Sequence, residues 1–221
     1  MAEASEKFVE AMNRAVQLND QKNKICTDLI RKMVTPTSKF NPNHGAQAIA
    51  KTFLLAGAKL SGQIIDAARI GHLQIAIVGL RPLFELMVHS KYIYNHPKHR
   101  KDRRHMQRVA KDIIRLTNKK RPTNHSKVDG KRLHERIKEL DLMHLYRSLY
   151  RALSEWSHLG IRTPYLSDQT AGEKYGMNIS SISLCLIHDV IDSICEGFGF
   201  EMDKQWDREV VQFRDAYQKQ F

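Results

Sequence analysis

The stretch GLRPLFELMVHSKYIY, residues 79–94, sets Leu80, Leu83, Phe84, Leu86, Met87, Val88 and Ile93 around nearly every side of a helical wheel. Arg81 and Glu85 are its only charges before Lys91. A helix that is apolar almost all round is a core helix, so this stretch and LQIAIV before it predict a central helix over about 72–95. Pro82 removes one backbone donor and predicts a kink there or a restart of the helix. Arg81 and Glu85 are four apart and share a face, where burial would be costly unless each finds a partner.

The same periodicity recurs outward from this centre, and strand-like alternation is nearly absent, which predicts an all-α fold. An amphipathic helix is expected over about 4–34, with Phe8, Met12, Ala15, Val16, Ile25, Leu29 and Ile30 in its apolar stripe. TPTSKFNPNHG, 35–45, reads as a connecting loop. A second helix, about 46–70, carries Ala56, Gly57, Ala58, Ser61 and Gly62, small residues that let another helix approach, and Gly71 is expected to end it. A basic helix is expected over about 97–118, a basic loop over 118–130, and helices over about 131–140 and 141–159. GIRTPYLSDQTAGEKYG, 160–176, reads as a long polar loop of the kind that often carries function. Helices over about 178–197 and 203–219 close the chain. With 221 residues and no linker, this predicts one domain of seven to eight helices, its core about 46–200 and the two terminal helices packed on it.

The opening MAEASEKFVEAM has acidic residues where a signal peptide needs a basic end, and no purely apolar run approaches the ~20 residues of a bilayer span, so a cytoplasmic protein with no membrane segment is expected. Cys26, Cys185 and Cys195 are odd in number and lack a CxxC spacing, and are expected to be small core residues.

Charge divides the chain sharply. From Lys91 to Arg132 there are 15 Lys and Arg against Asp102, Asp112 and Asp129, an excess equal to the +12 of the whole chain. The rest of the molecule balances to zero. Such one-sided charge favours a phosphate-rich partner, most often nucleic acid, with Lys98, Arg100, Lys101, Arg103, Arg104, Arg108, Lys119, Lys120 and Arg121 as the candidate contacts. A solvated helix face with no ligand has the same composition. Tyr92 and Tyr94, just ahead of this run, either stack on bases or pack at the helix end.

YRALSEWSH, 150–158, supplies the candidate chemistry. On an α-helix Arg151 and His158 lie within about 20° of one another, two turns apart, with Ser154 between them. Such a His and Arg can cleave an RNA phosphodiester without a metal, the imidazole moving the proton and the guanidinium neutralising charge at phosphorus. Glu85 can orient His158, and Arg81 can pair with Glu85; alternatively the same groups are interhelical fasteners. His89, His96, His99 and His105 sit in a field of cations that repels a divalent metal, so neither a metal nor any other cofactor is expected. GxSxG, HExxH and a Gly-rich phosphate loop are all missing from the sequence.

The RPLFE helix, 81–85, followed by YRALSEWSH, resembles a family of uncharacterised bacterial all-helical proteins marked by an R-x-x-x-E helix and a Y-x-x-L-S-x-x-x-H segment. The resemblance spans about residues 46–160 and supplies no activity. Arg151-x6-His158 on a late helix also resembles the HEPN superfamily, whose active members are metal-independent RNases of toxin-antitoxin and antiviral defence systems. Its motif is R-x4-6-H, so the gap here stands at the upper limit, and Ala152 stands where a polar residue is common. This resemblance implies a HEPN-like core, a homodimer, an acidic antitoxin-like protein partner, RNA on the basic segment, and Arg151 and His158 as the catalytic pair. Inactive HEPN-like domains serve instead as binding or dimerisation modules.

Overall fold

The computed structural model describes residues 2–34, 44–95, 131–150 and 169–217. The described residues form helices α1 (Ala2–Val34), α2 (His44–Arg69), α3 (Leu73–Tyr94), α4 (Leu133–Glu139), α5 (Met143–Leu145), α6 (Gln169–Phe198) and α7 (Lys204–Tyr217). A π-helical turn, Tyr146–Tyr150, continues α5. The protein is all-helical, and one hydrophobic core runs from Met12 on α1 to Phe213 on α7.

At the centre α3 packs on α2 and α6, and those two pack on each other. Leu80, Leu83, Phe84, Met87 and Val88 are sealed from solvent, as a helix apolar on most sides requires. The helix runs through Pro82 as one element. Proline costs a helix the bond to the carbonyl four residues back, here Val78, and both Val78 and Pro82 lie on the exposed side where water can replace it. Both α3 and the Gly172–Phe198 part of α6 are long and apolar enough to cross a bilayer, at mean hydropathy 1.2. The fold buries 50% and 72% of those stretches, as core helices are.

Glycine sets the closest approaches and one of the expected ends. A Cβ on Gly57 would lie 2.6 Å from Ile187 Cδ1, so the small-residue stretch of α2 is where α6 comes in. Gly71 (φ +79°) ends α2 with His72 N–H donating to Ala67 O and Gly71 N–H to Ala68 O, a left-handed cap. Gly199 ends α6 in the same way. The cap after α4 uses Asp141 at φ +55°, a conformation that costs a side chain energy.

Three features depart from the sequence expectations. α6 begins at Gln169, so part of the expected 160–176 loop is helical; Gly176 is buried against Phe8, the Ala68 carbonyl and Leu73, and Tyr175 packs on the core. The expected continuous α-helix over 141–159 opens instead with one α-turn and then the π-helical turn, which changes the register of side chains through Tyr150. A core position of α1 is filled by Lys22, fully buried, its ammonium donating to Asn19 Oδ1 at 2.6 Å and Ala58 O at 2.7 Å. Burial lowers its pKa to about 8, against the pull of Cys26 and Asp20.

The thiols behave as core groups. Cys26 and Cys195 are buried and Cys185 is half-buried, and burial first raises all three, to about 11, 12 and 12 in that order.

Candidate functional site

A column of polar residues runs down the side of α3 that faces α4. Arg81, Glu85 and His89 are spaced by four, which puts them on one helix face about 6 Å apart along the axis. Arg81 Nε lies 3.4 Å from Glu85 Oε1, a half-exposed ion pair, so the partnership expected from their spacing is formed. Half-exposed pairs of this kind stabilise by well under 1 kcal/mol, about 0.3–0.5 at helical spacing.

His89 meets a residue that sequence inspection passed over. Arg136, on α4, is 2% exposed, and its Nη1 donates to His89 Nδ1. Its guanidinium carbon stands 5.8 Å from the centre of the Tyr92 ring, a cation-π distance, and among the described residues its Nε–H has no hydrogen-bond partner. Among the described residues no carboxylate lies within ion-pairing reach of Arg136. Burial lowers its pKa to about 10, opposed by Tyr92 and Glu85, so it stays charged at neutral pH. His89 is pushed down to about 3, by burial and then by the Arg136 charge, and is neutral. The sequence signal available was faint: one Arg in a seven-residue helix, LHERIKE, with Ile137 beside it as the only other buried residue.

The ends of the basic segment meet on the same turns of α3. At one end the chain leaves α3 at Tyr94 and Asn95, where Asn95 Nδ2 donates to Glu196. At the other end Lys131 stands 5.7 Å from the Tyr92 ring and is held by Glu139 at 2.5 Å, which raises its pKa. Asn95 and Lys131, the described residues on either side of 96–130, thus both lie at the C-terminal turns of α3.

Tyr92 and Tyr94 are packing groups. Tyr94 is buried, donates to Ala46 O at 2.9 Å, and lies against Phe198 and Gly197. Tyr92 is buried under Arg136 and Lys131. Neither presents a ring for base stacking, because α3 is still inside the core at its last turn.

Of the catalytic set expected from sequence, Arg81 and Glu85 are placed as described. Arg151, Ser154 and His158 lie outside the described residues, as do Lys98, Arg100, Lys101, Arg103, Arg104, Arg108, Lys119, Lys120, Arg121, His96, His99 and His105.

A second polar constellation also escaped the sequence reading. His188 on α6 has Nε2 2.7 Å from Asp207 on α7 and stacks on Trp206 at 5.5 Å, while Asp189 reaches Lys91 on α3 at 3.4 Å. Burial disfavours the imidazolium, but hydrogen bonds donated by the ring to Asp189 and Asp207 outweigh it and raise the His188 pKa. These contacts bind α3, α6 and α7 together. An open groove on α1 and the end of α7 is lined by Glu6, Glu10, Arg14 and Tyr217, a set ill-suited to a polyanion. Among the described residues no group of His, Cys, Asp and Glu has the geometry to hold a metal ion.

Comparison of the chain with protein-family models, with curated proteins and with solved structures finds no match.

Proposed function

We propose that this chain is an RNA-binding helical protein in which a charge-balanced bundle carries one basic segment, 98–132, as the phosphate-binding element. The observation that supports this most is the charge division itself: the +12 excess resides between Lys91 and Arg132, and both ends of that segment are fastened to the last turns of α3. Phosphate contacts made this way are salt-sensitive, each adding about 0.7 to the log-log salt slope on a single strand. Replacing Arg100, Arg103, Arg104 and Arg108 with Gln should weaken binding of a single-stranded RNA oligonucleotide and flatten that slope by up to about 3. Unchanged affinity and slope would remove nucleic acid as the partner and point to an acidic protein.

A second reading, metal-independent RNA cleavage by Arg151 and His158 within a HEPN-like dimer of a defence or toxin-antitoxin system, is favoured by one observation. A π-helical turn, Tyr146–Tyr150, directly precedes Arg151, an irregularity that is rare in helices and frequent at functional sites. In this reading His158 moves the proton, Arg151 neutralises the phosphorus centre, and Ser154, Glu85 and Arg81 orient them. Cleavage in excess EDTA that is lost in a folded His158→Ala variant supports it; no cleavage by the wild type, with RNA still bound, leaves the binding module.

A further inference from the structure

A carboxylate stands at each nitrogen of the His188 ring. Nε2 is 2.7 Å from Asp207 Oδ1 on α7, and Nδ1 is 3.8 Å from Asp189 Oδ1 on its own helix, α6. Asp192, also on α6, adds a third negative charge that feels the ring, and Lys91 of α3 reaches Asp189 at 3.4 Å. From α1 the Leu18 carbonyl accepts the Trp206 indole N–H, and among the described residues no charged group of α1 acts on the ring. Only an imidazolium carries an N–H on both nitrogens, whereas the neutral ring has one and turns a lone pair towards the other carboxylate. The two carboxylates differ in what else holds them. Asp189 keeps Lys91, but among the described residues Asp207 has no second cation within ion-pairing distance. Loss of the ring's proton therefore falls on the bond to α7.

The helix at the far end of that bond is the one most able to move alone. α7 follows the left-handed turn at Gly199, rests mainly on α6 and α1, and buries three side chains, Trp206, Val210 and Phe213. A short terminal helix with few buried groups opens at lower cost than a central one. Trp206 stacks on the His188 ring at 5.5 Å and donates to Leu18 O at 3.0 Å, so the imidazole that holds Asp207 is also one wall of the Trp206 seat. We infer that α7 is a strap tightened by acid: protonated His188 clasps it by bridging Asp207 to Asp189, and deprotonation frees it to lift from α1 and α6 and uncover the seat of Trp206, Val210 and Phe213. This device is independent of RNA binding. Burial works against the imidazolium and the two carboxylates more than offset it, so the proton is held more tightly in the folded chain than at the ordinary 6.5 of the unfolded one. The clasp is accordingly complete below about 6.5 and is lost as pH rises through the raised folded-state value.

Hydrogen-deuterium exchange of the full chain at pH 6 and pH 9, read by mass spectrometry as protection relative to an unstructured chain at the same pH, tests this. In the wild type, peptides covering 206–213 should be less protected than those covering 80–88 of α3 at both pH values, because α7 opens alone. Their protection should fall by about 3-fold or more from pH 6 to pH 9. His188→Gln keeps an N–H for Asp207 but has no proton to lose, so its α7 protection should change by less than about 1.5-fold over the same range. Asp207→Asn, nearly the same shape without the charge, should also reduce the wild-type pH dependence, and circular dichroism reads the helix content of both variants. Wild-type protection of α7 that is equal at pH 6 and pH 9 overturns the proposal. So does an α7 that exchanges only together with α3, or a fall in protection that persists undiminished in both variants.

Discussion

Lys22→Met should stabilise the protein, because the ammonium it removes is held in the core against its own solvation. Lys22 is fully buried, and its pKa falls from 10.5 to about 8. At about 1.4 kcal/mol per pH unit, that drop is a cost of about 3 kcal/mol for keeping the group charged at pH 7, where both folded and unfolded chains hold the proton. Methionine fills similar volume without charge, and gives up the hydrogen bonds to Asn19 and Ala58, of which the Asn19 oxygen is the one left wanting. The net gain expected at pH 7 is about 1–2 kcal/mol. The pH dependence has a definite sign. Between about 8 and 10.5 the unfolded wild type binds more protons than the folded one, so wild-type stability rises with pH there and the advantage of methionine disappears. Urea denaturation followed by circular dichroism at pH 7 and pH 10 reads both effects. A variant destabilised at pH 7, or an advantage that persists unchanged to pH 10, would refute the account of Lys22 as a strained core cation.

Three further outcomes follow from the packing and the site. Gly197→Ala should cost about 1–3 kcal/mol, since the new Cβ would lie 2.7 Å from Tyr94 Cβ, an atom with no freedom to swing away; thermal melts check it. Asp141→Gly should raise stability by about 0.5–1 kcal/mol by relieving the left-handed cap after α4, read as a higher denaturation midpoint. Because the His89 pKa is lowered to about 3, the unfolded chain takes up a proton that the folded one refuses as pH falls below about 6.5. Stability should therefore drop by up to about 1.4 kcal/mol per pH unit towards pH 3, and His89→Gln should remove that part of the slope.

The central helix, the long flanking helices and the ends at Gly71 and Val34 were legible because each rests on a local signal: apolar periodicity, a run of small residues, or a glycine able to take positive φ. Gly57 shows how far such a signal reaches, since its missing side chain marks the place where α6 comes against α2. The start of α6 was not legible, because Gln169 to Gly176 is polar and glycine-rich and becomes helical where Gly176 and Tyr175 meet α1, α2 and α3. Lys22, Arg136 and His188 escaped for one common reason. Each is a polar residue whose burial is created by partners distant in the chain, Ala58, His89 and Asp207, and no short-range pattern reports such a partner. Arg81 and Glu85 were legible as a pair because their spacing alone brings them together.

The measurement closest to the central claim is the affinity of the full chain for a single-stranded RNA oligonucleotide in excess EDTA, taken across a salt series for the wild type and for the Arg100, Arg103, Arg104 and Arg108 to Gln variant. The account predicts steeply salt-dependent binding by the wild type and a weaker, flatter dependence in the variant. Binding that is absent, or equal in the two proteins at every salt concentration, would contradict it.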